Sequence, residues 1–390
     1  MKNTIYNAKV VLSDRVIENG YVSFEDGVIV AVGEGNFEGE GIDAKGNFVS
    51  SGFVDIHCHG GGDSDFNDGE VDSFITPAVM HAKHGTTTLV PTITTGPDED
   101  VLRSFKSFNE ARNFEYSGAR IVGIHMEGPY LSPEQAGAQD PRYIRAPKRE
   151  DYENLIKNSG NSIIRWTYAP ELEGAEEFSR YLKKEGILVS IGHSNAMYED
   201  VEKAYNSGAE LLTHFYSSMS TITRVDGYRK LGVIESGYLI DNMSVEIIAD
   251  GHHLPRELLS MIYKFKGADR IALVTDSMRG AGMPDGKTVL GNRKTGIECI
   301  IEGGVAKLFD RTSFAGSVCT ADRLVKTMYK TVGVPITDAI KMMCETPARL
   351  IGLDKEIGTL ETGKRADIVI FDDDINIFKT IVGGKTVYEK

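Results

Sequence analysis

Two histidines stand two residues apart at the end of an apolar, β-branched run, Phe53-Val-Asp-Ile-His57-Cys-His59-Gly60. In an extended strand the side chains at i and i+2 point to one face. His57 and His59 therefore project together where the turn Gly60-Gly61-Gly62 begins. Two imidazoles aimed at one point suit a transition metal; the plainer alternative is a polar strand end with solvated histidines. Further stretches of the same texture favour the metal: His125-Met126-Glu127-Gly128-Pro129, Gly192-His193-Ser194, Thr213-His214, Asp250-Gly251-His252-His253 and Thr275-Asp276-Ser277. Histidine and carboxylate donors suit zinc, iron, manganese or cobalt. Two histidines and a carboxylate leave coordination positions open for water, unlike a closed structural site. A divalent metal lowers the pKa of its water towards roughly 7 and so supplies hydroxide at neutral pH. A nearby carboxylate can act beside it as a general base or acid.

Short apolar strands must position these residues. Eight are expected, at 53–60, 86–93, 120–128, 162–171, 187–194, 210–217, 244–251 and 271–278, with helices such as 173–185, 198–207 and 255–265 between them. Continuous apolar strands alternating with helices imply a parallel sheet, and eight such units imply a (β/α)8 TIM barrel. A doubly wound open sheet is the alternative. Six of the eight strands carry an ionisable or metal-binding residue at the carboxyl end. In a barrel those ends converge on one mouth, whereas in an open sheet they would be strung along an edge.

Residues 1–50 and 350–390 have a different texture, short β-like runs separated by turns such as Glu25-Asp26-Gly27 and Gly383-Gly384. They are expected to pair into a small discontinuous β-sandwich domain, leaving 51–349 as the catalytic barrel. Residues 281–314 are glycine-rich, with β-like runs at 296–301 and 305–308, and are expected to form a flap near the mouth. Residues 131–147 are expected to form an ordered loop over the site.

The 390-residue chain carries a net charge of −14, which argues against a general nucleic-acid or acidic-membrane binder. No stretch approaches the roughly 18 apolar residues of a membrane helix. The opening residues lack the apolar run of a signal peptide. Cys58, Cys299, Cys319 and Cys344 lie far apart with no Cys-x-x-Cys pair, which argues against a thiolate zinc site or a disulfide framework. The expected compartment is the cytoplasm.

His57-x-His59, His125-Met-Glu127-Gly-Pro, Gly192-His193-Ser194, Thr213-His214, Ala249-Asp-Gly-His-His253, Val274-Thr-Asp276 and Ala315-Gly-Ser317 resemble the N-acetylglucosamine-6-phosphate deacetylases of the amidohydrolase superfamily. The resemblance spans the barrel and both terminal segments. It implies hydrolysis of the acetamide of N-acetylglucosamine 6-phosphate by metal-bound hydroxide with an Asp proton shuttle. Another N-acetylhexosamine phosphate, such as the galactosamine isomer, or another amide is the alternative. It implies Glu127, His193 and His214 as primary metal ligands and His57 and His59 as a second set bridged by Glu127, so one or two metals per subunit. It implies Asp276 as the acid/base, with metal ligation as its alternative role, and His253 as a substrate contact. Gly137-Ala138-Gln139 matches a sugar- or phosphate-facing segment, and Ala315 and Ser317 also fall on substrate-binding positions. Ser217-Ser218 stands where the family usually has the Asn-Ala pair that helps hold the phosphate. Arg224, with Arg229 next, is the nearest match to the arginine that usually follows. The resemblance also implies a homodimer whose neighbouring subunit lends a phosphate contact. Outside these roles, His125 is expected in the core or behind a ligand, His81 and His84 on a helix surface, His252 in a structural or solvated position, and Cys58 packed behind its strand.

Overall fold

The structure, a computed structural model, describes every residue except Met1, Glu38 and Thr312, with Lys2 described by its backbone alone. All eight expected strands form. Thr86–Thr94 pairs in parallel with Phe53–Cys58 on one side and Ile124–Glu127 on the other. The ladder then runs in chain order through Ile163–Tyr168, Leu188–Ile191, Ala209–Leu212 and Ser244–Ile247 to Ile271–Leu273. The expected third strand breaks at Val122-Gly123, and its first part, Arg120–Ile121, also pairs with Thr86–Thr94. The seam between the first and last strands is joined beyond the ladder. Asp276 N donates to His57 O at 2.9 Å, His59 N donates to Ser277 O at 2.8 Å, and Thr275 Oγ1 donates to the buried Asp55 carboxylate at 2.6 Å. Barrel closure is thus made by the residues that carry the candidate chemistry.

The helices cover the barrel because their apolar residues recur on one stripe. In Ala175–Lys184 the buried positions are Ala175, Phe178, Ser179 and Leu182. Glu176 and Glu177 lie in the first turn and Lys183 and Lys184 in the last, as the helix dipole favours. Phe178 is fully buried against the rings of Tyr130, Tyr152, Trp166 and Tyr168, at 5.0–5.5 Å between centroids. Truncation there removes a hub that joins helix to barrel wall. Phe178→Ala is expected to cost about 3–5 kcal/mol, seen as a lowered denaturation midpoint; a change below about 1 kcal/mol would contradict this packing. The bottom of the barrel is plugged by Ala348 and Leu350 of the helix Glu345–Leu350, which join Val54, Ile56, Val90, Leu211 and Val274.

Both chain ends enter one eight-stranded sheet. Its order is Lys385–Glu389, Ile377–Val382, Ile368–Phe371, Phe48–Ser51, Lys2–Val11, Val16–Glu25, Val28–Glu34, with Ile42–Asp43 beside Lys2–Val11. Strands from its two ends share a core of Ile5, Val22, Phe24, Val49, Ile368 and Ile381, so the expected sandwich is one sheet bent over its own core. The flap segment gains a strand: Gly286–Leu290, Ile297–Glu302 and Val305–Leu308 form an antiparallel sheet. Among the described residues no helix is long and apolar enough to cross a membrane. The four cysteines are free and buried.

Candidate active site

Each candidate residue leaves the barrel where its strand ends. Three do so in a backbone region that L-residues seldom occupy: His193, His214 and Asp276 have φ of 47°, 31° and 46°. Such conformations cost of order 1–3 kcal/mol each and persist only where the surroundings over-determine them. Here they turn the side chains off the strand direction and into the mouth.

The result is two convergent groups, Glu127 with His193 and His214, and His57 with His59 and Asp276. Glu127 Oε1 lies 3.1 Å from His214 Nε2, 3.3 Å from His193 Nε2 and 3.4 Å from His57 Nε2. Its Oε2 lies 3.4 Å from His59 Nε2. Asp276 Oδ1 lies 3.1 Å from His59 Nε2 and 3.4 Å from His57 Nε2. Glu127 therefore stands between the groups. The Nε2 atoms of His193 and His214 face each other at 3.1 Å, so the two rings aim the same nitrogen at one point. His193 Nδ1 is held by Gln135 O at 2.9 Å, which leaves Nε2 free to ligate. His57 Nε2 has no hydrogen-bond partner despite complete burial. The donor set thus fits a divalent transition metal at either group.

Electrostatics point the same way. Burial alone would lower the His57 imidazolium, but Asp276, Glu127 and Glu246 outweigh it and raise it to about 10. Burial alone would raise the Glu127 carboxyl, yet His57 and hydrogen bonds from His193 and His214 hold it well below the usual carboxylate range. A cluster so rich in carboxylates favours a cation, here a proton on His57.

A cavity of about 200 Å³ opens over these groups. Ala138, Gln139, Ser217, Ser218 and His253 line it, as expected for substrate-facing residues. Gly137 is required in that loop: its φ is 58°, and a Cβ would stand 2.7 Å from Ser218 Oγ. Gln139 Nε2 donates to Glu127 Oε2 at 2.7 Å, which ties the loop to the candidate ligand. Asp250 accepts His253 Nδ1–H at 2.9 Å, and the His253 ring packs 4.6 Å from that of Phe314 on the flap side.

Not every expected residue reaches the cavity. Arg224 lies on an exposed hairpin, Thr223–Val225 with Tyr228–Lys230, and does not line the cavity of its own chain; Arg229 lies on the same hairpin. Ala315 and Ser317 are fully buried; the Ser317 hydroxyl is used by Thr275 O at 2.5 Å, while their neighbours Ser313, Phe314 and Gly316 line the cavity. His81 is not a surface residue: the helix Asp72–Ala82 turns it inward, where its Nε2 meets Gly60 O at 3.0 Å and Ser277 Oγ at 3.1 Å. His84 lies past that helix, beside Asp322. His125 is a core histidine between Thr92 and Thr167. His252 is exposed, and Cys58 is packed behind its strand.

Two residues of the site floor escaped the sequence reading, Arg165 and Glu246, which form a fully buried ion pair. The signal was a single charge inside an otherwise apolar strand, Ile-Ile-Arg165-Trp and Ser-Val-Glu246-Ile. A charge there must find a partner.

The class of barrel follows from comparison. The model of the amidohydrolase family matches residues 48–387. N-acetylglucosamine-6-phosphate deacetylase of Vibrio furnissii is 34% identical over 342 residues, 87% of this chain and 82% of that one. N-acetylgalactosamine-6-phosphate deacetylase of Escherichia coli O157:H7 is 30% identical over 385 residues, 99% of each chain. Among solved structures, the N-acetyl-D-glucosamine-6-phosphate deacetylase of Mycobacterium smegmatis, in complex with N-acetyl-D-glucosamine-6-phosphate, superposes with a TM-score of 0.91 at 28% identity over 99% of each chain. The chain belongs to the amidohydrolase family, in its N-acetylglucosamine-6-phosphate deacetylase branch.

Proposed function

We propose that this chain hydrolyses the acetamide of N-acetylglucosamine 6-phosphate to glucosamine 6-phosphate and acetate. The observation that carries the reading is the convergence of Glu127, His193 and His214 with Asp276 in one cavity, in a chain whose relatives are named for this reaction. Glu127, His193 and His214 would hold one divalent metal, zinc or iron foremost, and His57 and His59, sharing Glu127, would hold another. When bound, such a cation polarises a carbonyl and acidifies water. Asp276 takes a proton from the attacking water and delivers it to the amide nitrogen. The water oxygen bonds to the acetyl carbon, the carbon–nitrogen bond breaks, and acetate and the free amine leave. His253, held by Asp250, faces the substrate across the cavity. Ser217 and Ser218 offer hydroxyls to the 6-phosphate.

Among the described residues no lysine or arginine lines the cavity. The exposed hairpin bearing Arg224 and Arg229 is the part that supplies the missing cation, from a second copy in a homodimer. Four free buried thiols and a sugar-phosphate substrate fit the cytoplasm.

The test is acetate release by metal-replete protein from N-acetylglucosamine 6-phosphate, its galactosamine isomer and the unphosphorylated sugar. Turnover is expected to require the phosphate and to favour the gluco-sugar. Preference for the galacto-isomer would move the substrate to that of the second relative. No turnover on any of the three, with metal bound, would overturn the reading.

A further inference from the structure

Glu246 lies on the seventh barrel strand, fully buried and outside the cavity lining. Its carboxylate divides its contacts. Oε1 takes Nη1 of Arg165. Oε2 accepts from the backbone N–H of His214 at 3.2 Å and lies 3.2 Å from His57 Nδ1. Arg165 is itself fixed by Ser190 Oγ, Ile56 O and Thr213 Oγ1, each at 3.0 Å. One carboxylate therefore touches a member of each convergent group, His57 by its ring and His214 by its backbone.

The two histidines of the first strand differ in this respect. His59 Nδ1 has no hydrogen-bond partner, whereas His57 Nδ1 has Glu246. A carboxylate accepting Nδ1–H fixes both the tautomer and the ring plane, so that Nε2 carries the lone pair. For His57 that atom lies 3.4 Å from both Glu127 Oε1 and Asp276 Oδ1.

We propose that Glu246, clamped by Arg165, is a positioning residue that fixes His57 with Nε2 towards Glu127 and Asp276 and so sets metal occupancy at the position of His57 and His59. The inference rests on the metal reading of the site. It places the control of that position on the seventh strand, through a residue outside the cavity lining.

Cobalt(II) titration of the metal-free protein tests it, read by calorimetry and by visible absorption. Wild type is expected to take cobalt at both groups. Glu246→Gln is expected to weaken the His57 position by about 10–100-fold and to leave the Glu127, His193, His214 position within a few-fold. Glu246→Asp keeps the charge and the Arg165 partner but withdraws the carboxylate from His57 by one methylene, so it shifts binding in the same direction; if Glu246→Gln does not fold, this variant decides. In a His57→Asn background the Glu246 change is expected to add nothing, because its effect passes through His57. Folded variants that bind cobalt as wild type does, or losses that simply add in the double variant, overturn the inference. A wild-type chain that takes a single equivalent also overturns it while leaving the function intact. A wild-type chain that takes none overturns the metal reading as well.

Discussion

Asp276→Asn is expected to lower kcat for acetate release by about 10²–10⁴-fold, the range a positioned general acid/base contributes, with KM changed by no more than a few-fold. The substitution keeps size and shape and removes only the ability to carry a proton. Burial works to raise the Asp276 carboxyl, but His57 and His59 outweigh it and bring it down to about 2. The group therefore enters the cycle ionised at neutral pH, ready to accept a proton. The same carboxylate sits 3.1 Å from His59 Nε2, so it is also placed to ligate. Metal content separates the roles. A fall in kcat with metal retained identifies the proton carrier. A proportional loss of cobalt or zinc identifies a ligand, and an unchanged kcat removes Asp276 from the mechanism.

Glu127→Gln is expected to have the broadest effect of any single change. Glu127 lies within 3.4 Å of four imidazoles, those of His57, His59, His193 and His214. The amide keeps the volume and the bond to the Gln139 loop but removes the charge that both groups share. Loss of an outer partner already costs a metal site about 10–100-fold in affinity, so loss of this shared carboxylate is expected to exceed that and to abolish measurable turnover. A ligand bound only by the folded state stabilises it, by about 2.7 kcal/mol at a free concentration 100 times Kd. A chelator is therefore expected to lower the melting temperature of the wild type by several degrees and to leave Glu127→Gln unmoved. Equal responses of the two proteins would show that Glu127 does not hold the metal.

These effects rest on a site whose members were legible in different degrees. The strand ends bearing His57, His59, Glu127, His193, His214, His253 and Asp276 could be read directly. Alternation places i and i+2 on one face, and a parallel barrel carries every strand's carboxyl end to the same rim. The eight strands were legible for the same reason: an apolar run buried on both faces has few alternatives. Local pattern also marked the loop of Ala138 and Gln139 as lying over the mouth.

Other features belong to the tertiary structure alone. Asp276 joins His57 and His59 because the eighth strand closes on the first, a contact between residues more than 200 positions apart. The clamp of Arg165 on Glu246 spans the barrel from the fourth strand to the seventh. His81 is buried because a helix packs its inner face against Gly60 and Ser277. Ser317 spends its hydroxyl on Thr275 O, and Arg224 stands on a hairpin facing outward, so a motif match located both but could not aim either. Residue type and period fix what a side chain can do and which face of its own element it leaves. Which distant partner it meets is decided only when the strands close, because that distance is set by the barrel and by no local segment.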